Sequence, residues 1–196
     1  MTTLHFLRSL ITYPYRKIMR LIWSKEFAYF HMSSWIDRPL RLQGKANIYI
    51  GPHVGVHYKT WLAALPLTGQ KDVRLEIKKG SVIGDFNHIY ATHSIIIEHS
   101  VLTANHVYIS DNLHGYQDIN IPVMDQPIIQ QRDVVIGEGS WIGENVCIIG
   151  ASVGKHCVIG SNSVVTKDIP DYCVAVGIPA IVIKKYDHKL KQWIRC

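Results

Sequence analysis

Aliphatic residues recur at every sixth position through the middle of this chain. Counting from Ile77, the next stations are Ile83, Ile89, Ile95, Val101, Val107 and Leu113. After an interruption the count resumes at Ile136, Ile142 and Ile148, and again at Val153, Ile159 and Val165. A period of six fits neither a helix face at 3.6 nor a lone strand at 2. It fits a chain that makes one short strand and one turn per six residues, with the aliphatic residue pointing to a common axis. Small residues follow many stations, as in Ile83-Gly84, Ile136-Gly137, Ile142-Gly143, Val153-Gly154 and Ile159-Gly160, where a turn needs backbone freedom. One coil cannot bury its own apolar face, so coils must stack into a parallel β-helix.

A longer echo suggests the size of a coil. Asn87-His88-Ile89-Tyr90 returns as Asn105-His106-Val107-Tyr108. Three hexapeptides per coil would set the second copy directly above the first, with His88 and His106 in a ladder. An earlier, looser set runs through Leu42, Ile48 and Val54. Between Val54 and Ile77 the period fails, and Pro66 and Gly69 predict a loop there. The five-residue step from Ile148 to Val153 is a slip that we expect Gly150 to absorb.

The stretch DVVIGEGSWIGENVCIIGASVGKHCVIGSNSVVTKDIPDYCVAVGIPA strongly resembles the left-handed β-helix acyltransferases. Within them it is most similar to the O-acetyltransferases of bacterial surface-polysaccharide synthesis. The resemblance runs over residues 77 to 185 and is weaker before that. It rests on W-I-G, on I-G-x-x-S-V-V-T-K-D-I-P and on G-x-P-A. It implies a left-handed coil, a homotrimer with active sites between subunits, acetyl-CoA as donor and a saccharide as acceptor. The expected architecture is therefore all-β. A helical cap or membrane-interface segment spans 1–38, and a left-handed parallel β-helix spans 39–183. A loop is extruded at about 114–133, and a short tail covers 184–196.

The period breaks at His114, just after Leu113. The segment S-D-x-x-H-x-Y-x-D…P…Q-P looks like the family's extruded loop, which carries the catalytic histidine at its start. The chemistry needs such a group. A sugar hydroxyl is a poor nucleophile near neutral pH, and a neutral imidazole can take its proton as it attacks a thioester. Asp111 lies three residues earlier and could orient that imidazole, contact the acceptor or be a solvated loop residue. The oxyanion of the tetrahedral intermediate needs N–H donors. By resemblance these come from the coil near Gly143 and Glu144 of a neighbouring subunit.

The resemblance places the donor site at Gly143 and Glu144 after W-I-G, at Ser161, at Thr166-Lys167 and at Lys184. Ser161 stands where the family usually has alanine. Ile181 stands where it often has Lys or Arg, which removes one phosphate contact that Lys185 could replace. His53, His88 and His93 have spacings like those of the zinc ligands of γ-class carbonic anhydrases, which share the coil. The register argues against a metal: His88 precedes its inward Ile89, and His93 stands two residues before Ile95, where that family's ligands follow the aliphatic. No metal is expected.

The remaining features narrow the class. The net charge is +6, which suits an anionic partner. The basic residues are scattered and sit at the chain ends, and no nucleic-acid reader motif occurs. Cys147, Cys157, Cys173 and Cys196 form no C-x-x-C pair and read as reduced thiols of a cytoplasmic protein. The segment LHFLRSLITYPYRKIMRLIWSKEFAYFHMSSW reads as two helical pieces divided at Pro14. They would close the apolar end of the first coil, or lie peripherally on a membrane. Xenobiotic O-acetyl transfer, N-acetyl transfer to a sugar nucleotide and a silent binding scaffold are the competing readings.

Overall fold

The computed structural model describes residues 3–196, with side chains from residue 14 onward. It is a three-faced parallel β-helix. Face one stacks Tyr29–Phe30, Ile48–Ile50, Arg74–Ile77, Ser94–Ile97 and Val134–Ile136. Face two runs from Trp35–Ile36 through Gly55–Val56, Val82–Ile83, Leu102–Thr103, Trp141–Ile142 and Val158–Ile159 to Cys173–Val176. Face three stacks Arg41–Gln43, Trp61–Ala64, His88–Ala91, Tyr108–Ser110, Cys147–Ile149 and Val164–Val165. The counted aliphatics line the axis: Ile77, Ile83, Ile89, Ile95, Ile136, Ile142, Ile148, Ile159 and Val165 are fully buried. Each such side chain contributes about 1.5–3 kcal/mol of transfer free energy.

The coil is not eighteen residues long. Ile77 pairs with Ile97 and Ile89 with Ile109, a coil of twenty. Above the interruption Ile142 pairs with Ile159, a coil of seventeen. The eighteen-residue echo is therefore two residues out of register. Tyr108, not His106, lies over His88, at 5.2 Å between ring centroids. His106 instead stacks on Phe86 at 5.0 Å. A two-residue drift keeps a side chain on the same side of its strand. Val101 and Val107 thus remain buried although they are no longer directly above Ile83 and Ile89. The count fails at Leu113, which is half-buried on a projecting hairpin and does not point to the axis.

Two corners of the prism are regular. Between faces one and two, every coil from His53 onward has one residue of positive φ at the same station: His53, Gly80, Ser100, Gly139, His156 and Tyr172. Between faces two and three the station holds Lys59, Phe86, His106, Asn145 and Asn162. The third corner, from face three back to face one, takes up every irregularity. It holds a short 3-10 turn at Lys45–Asn47 and the expected loop, here residues 65–73. It also holds the projecting hairpin and Gly150, whose φ of 55° accounts for the five-residue step.

The N-terminal segment is one helix, Thr3–Glu26, that continues through Pro14. Proline costs it one backbone hydrogen bond, and packing offsets the loss. Trp23 and Phe27 are buried with Phe30, while Tyr15 and Met19 pack against the same core. The Arg16 guanidinium sits 3.7 Å over the Trp35 ring, and Arg20 Nε donates to the Ser34 carbonyl at 2.9 Å. The helix closes the first coil. Ile181–Asp187 and Gln192–Arg195 form an antiparallel hairpin that extends face two beyond Cys173–Val176.

Candidate active site

The chain leaves the coil after Asp111, two residues earlier than the period alone indicates. Asn112–His114 pairs antiparallel with Ile128–Gln130, and His114 stands opposite Ile128. His114 shares one face of this hairpin with Asn112 and Gln130. It is exposed, and among the described residues its imidazole has no hydrogen-bond or ion-pair partner. Gly115 follows because the turn leaves no room: a Cβ there would lie 2.8 Å from the Pro127 carbonyl oxygen. The hairpin tip is apolar and open, with Ile119 94% and Met124 84% exposed.

Asp111 has a different task from the ones expected of it. It is fully buried, so it is not a solvated loop residue. Its carboxylate accepts from the backbone N–H groups of Thr92, His93 and Ser94 at 2.7–3.0 Å. It also accepts from the Thr92 hydroxyl at 3.0 Å and the Asn112 amide at 2.9 Å. Its carboxylate is thus turned to the coil below and makes no contact with His114. It fixes the third corner at the point where the twenty-residue coil holds its two extra residues. The Asn112 amide donates onward to the Tyr90 carbonyl at 3.1 Å, and the Thr92 hydroxyl shares its one proton between Asp111 and the Gln130 side-chain oxygen, each at 3.0 Å. Apart from the Asn112–Asp111 contact, these anchors link residues 17 to 38 apart in sequence, which is why local pattern gave no sign of them.

The other candidates fall in separate places. Gly143, Glu144 and Ser161 lie at the regular corner between faces two and three. The Glu144 N–H donates to the Ser161 hydroxyl at 3.2 Å. A Cβ on Gly143 would meet the Ser161 nitrogen at 2.7 Å. Thr166 and Lys167 lie exposed at the third corner, above the hairpin. Asp168 beside them takes the Ser152 N–H at 2.8 Å and pairs with Arg132 at 2.7 Å, which ties the hairpin's return to the upper coil. Those two contacts, the backbone hydrogen bond first, hold its carboxyl below the usual range. Lys184 sits half-buried on face two, paired with Val174. One chain therefore does not bring His114 together with Gly143 and Glu144; a whole face of the prism separates their corners.

His53, His88 and His93 occupy a corner, a face and another corner. Among the described residues no three His, Cys, Asp or Glu side chains gather to hold a metal ion. His88 stacks on Trp61 at 4.0 Å, and burial, aided by Arg41, lowers its pKa. The four cysteines are free. Burial pushes the Cys157 thiol up to about 11.

This geometry defines a hexapeptide-repeat protein with a histidine displayed on a projecting hairpin, and comparison with known proteins agrees. Residues 133–167 match the family described as the hexapeptide repeat of succinyl-transferase. An Escherichia coli K12 protein named for O-acetyl transfer in lipopolysaccharide biosynthesis is 39% identical over 119 residues, 57% of this chain and 60% of that one. The galactoside O-acetyltransferase of the same organism is 27% identical over 85% of this chain and 68% of that one. A maltose O-acetyltransferase structure from Clostridium difficile 630 superposes with a TM-score of 0.52 at 26% identity, covering 85% of this chain and 74% of that one. An N-acyltransferase from Bacillus cereus, solved with dTDP and 3-hydroxybutyryl-CoA, shares the fold at a TM-score of 0.72 and 16% identity, over 88% and 90% of the two chains. The chain carries the hexapeptide repeat over residues 133–167 and is similar along its coil to proteins named as acetyltransferases. Its matches span 60% and 50% of the first two curated relatives.

Proposed function

We propose that this protein transfers the acetyl group of acetyl-CoA to a hydroxyl of a surface-polysaccharide sugar or its precursor, with His114 as general base. The observation that carries the reading is the exposed His114 imidazole, without a hydrogen-bond or ion-pair partner among the described residues and held on an anchored hairpin. Relatives named for O-acetyl transfer to saccharides support the acceptor class. In the reaction the imidazole takes the hydroxyl proton as the oxygen attacks the thioester carbonyl. The tetrahedral intermediate collapses, the carbon–sulfur bond breaks, and the imidazolium returns its proton to sulfur. An acetyl ester and free CoA thiol result.

The site is completed by a second copy of the chain within a trimer. One wall is the hairpin corner with His114, Thr166 and Lys167. The other is the neighbour's opposite corner, where the Gly143 N–H is held by the Ile159 carbonyl and the Glu144 N–H, on a longer 3.2 Å bond to the Ser161 hydroxyl, is the one that can turn to the oxyanion; Ser161 lies beside the donor's arm. Lys167 and Lys184 are suited to the donor's phosphates. The exposed apolar hairpin tip supports a protein surface over it.

The test is release of CoA thiol from acetyl-CoA in the presence of saccharides, amino-sugar nucleotides or hydroxylated antibiotics. His114→Ala is expected to lower the rate about 10²–10⁴-fold without changing the unfolding midpoint. Full activity in that variant excludes the mechanism, and turnover confined to amino acceptors or antibiotics replaces the acceptor. Mixing inactive His114→Ala chains with chains blocked by Ser161→Trp, at an exposed position on the opposite wall, should restore part of the activity, because some mixed sites receive both intact walls.

A further inference from the structure

The charge of this chain is concentrated at one end. Residues 1–45 hold eight Lys and Arg against Glu26 and Asp37, and residues 46–196 hold thirteen basic and thirteen acidic residues. The whole net charge of +6 therefore belongs to the terminal helix and the first coil. Both acids there are already neutralised: Glu26 pairs with Lys45 at 2.5 Å and Asp37 with Arg16 at 3.7 Å.

The same helix is apolar on two sides. Its inner side, Tyr15, Met19 and Trp23, is spent on closing the coil. Its outer side presents Ile18 and Leu21, each 59% exposed, and Ile22 at 42%. Their spacing of three and four makes one ridge, and exposed Lys17 and Lys25 stand beside it. Capping the coil needs the inner side only, so the ridge is unexplained by the fold. We propose that this outer face docks the protein on an anionic lipid bilayer. The helix would lie in the plane of the membrane, with Ile18, Leu21 and Ile22 between headgroups and the lysines reaching back to phosphate. A surface that paired basic groups with nucleic acid would gain nothing from three exposed aliphatics. A neutral protein partner would gain nothing from the charge. The helix does not cross the bilayer: among the described residues no helix is long and apolar enough to do so.

Flotation of the full chain with vesicles tests the proposal. Binding is expected to vesicles of equal parts phosphatidylcholine and phosphatidylglycerol, to weaken with added salt, and to be lost on phosphatidylcholine alone. Lys17→Ser and Lys25→Ser should each weaken it about fivefold. Leu21→Glu/Ile22→Glu should abolish it with an unchanged unfolding midpoint, since both side chains are exposed. Absence of wild-type binding overturns the proposal. So does equal, salt-insensitive binding to both vesicles. A change of sedimenting mass in Leu21→Glu/Ile22→Glu, with lipid binding intact, assigns the ridge to a protein contact and also overturns it.

Discussion

The two kinds of corner in this prism behave differently. The corner between faces two and three repeats one backbone shape at Lys59, Phe86, His106, Asn145 and Asn162, whatever the side chain. The corner between faces three and one never repeats: it is a short turn, a loop, a pinned bend, a hairpin and a glycine turn on successive coils. The strands on either side remain in register throughout. A coil thus needs its strands and two of its corners to be uniform, and the third is free to carry insertions. Such insertions are inexpensive, since each doubling of a loop costs only about 0.6 kcal/mol in closure entropy. The difference separates a rail that positions from a corner that displays chemistry.

The largest effect that can break this division lies at Asp111, on the boundary between rail and display. Asp111→Ala leaves three N–H groups without their acceptor, that of Thr92 fully buried, and should cost about 3 kcal/mol or more of stability. Chemical denaturation reads it directly. His114, three residues away, should show the reverse profile: activity lost and stability kept. If Asp111→Ala unfolds like the wild type but is inactive, Asp111 belongs to the chemistry and the division drawn here is wrong.

That pair also shows what could be read from the sequence. The fold was legible because burial in a coil imposes a local period, and Ile77 through Val165 announce it residue by residue. The projecting hairpin at His114 was legible because the period stops beside it, and Gly115 follows for a steric reason of its own. Asp111 was not, because its partners lie a full coil away and nothing local distinguishes a carboxylate that caps a corner from one that faces solvent. The coil length was misjudged for a related reason. A strand alternates with period two, so a drift of two residues leaves the inward pattern unchanged and only the pairing of Ile89 with Ile109 exposes it. The helix through Pro14 was missed because proline's local cost was weighed without the core that Trp23 reaches.

An intermediate effect is expected on face three. His88 stacks on Trp61 beside a tilted Tyr108, with its Nε2 buried and unpartnered among the described residues, and burial lowers its pKa. The folded state therefore binds fewer protons than the unfolded state in the interval between the lowered value and the ordinary value of about 6.5. Stability rises with pH wherever the unfolded state holds more protons. The stabilising preference for neutral His88 is complete above about pH 6.5 and is lost as pH falls below it. His88→Gln should flatten the fall of the unfolding midpoint on the acid side of that value. An unaltered acid limb would mean that other groups govern it.

The smallest effect tests the regular corners themselves. At the station shared by Gly80, Ser100 and Gly139, φ is 75°, 56° and 68°. Serine in this region carries a steric cost of about 1–2 kcal/mol that glycine does not. Glycine in turn loses more freedom on folding, by about 0.5–1 kcal/mol. Ser100→Gly should therefore raise stability by a few tenths of a kcal/mol, measurable as a small shift of the denaturation midpoint at constant slope. The Ser100 backbone bond to the Lys79 carbonyl at 3.0 Å is untouched by the change. A loss of stability would show that the corner depends on the serine side chain, and that the regular corners are specified by more than backbone shape.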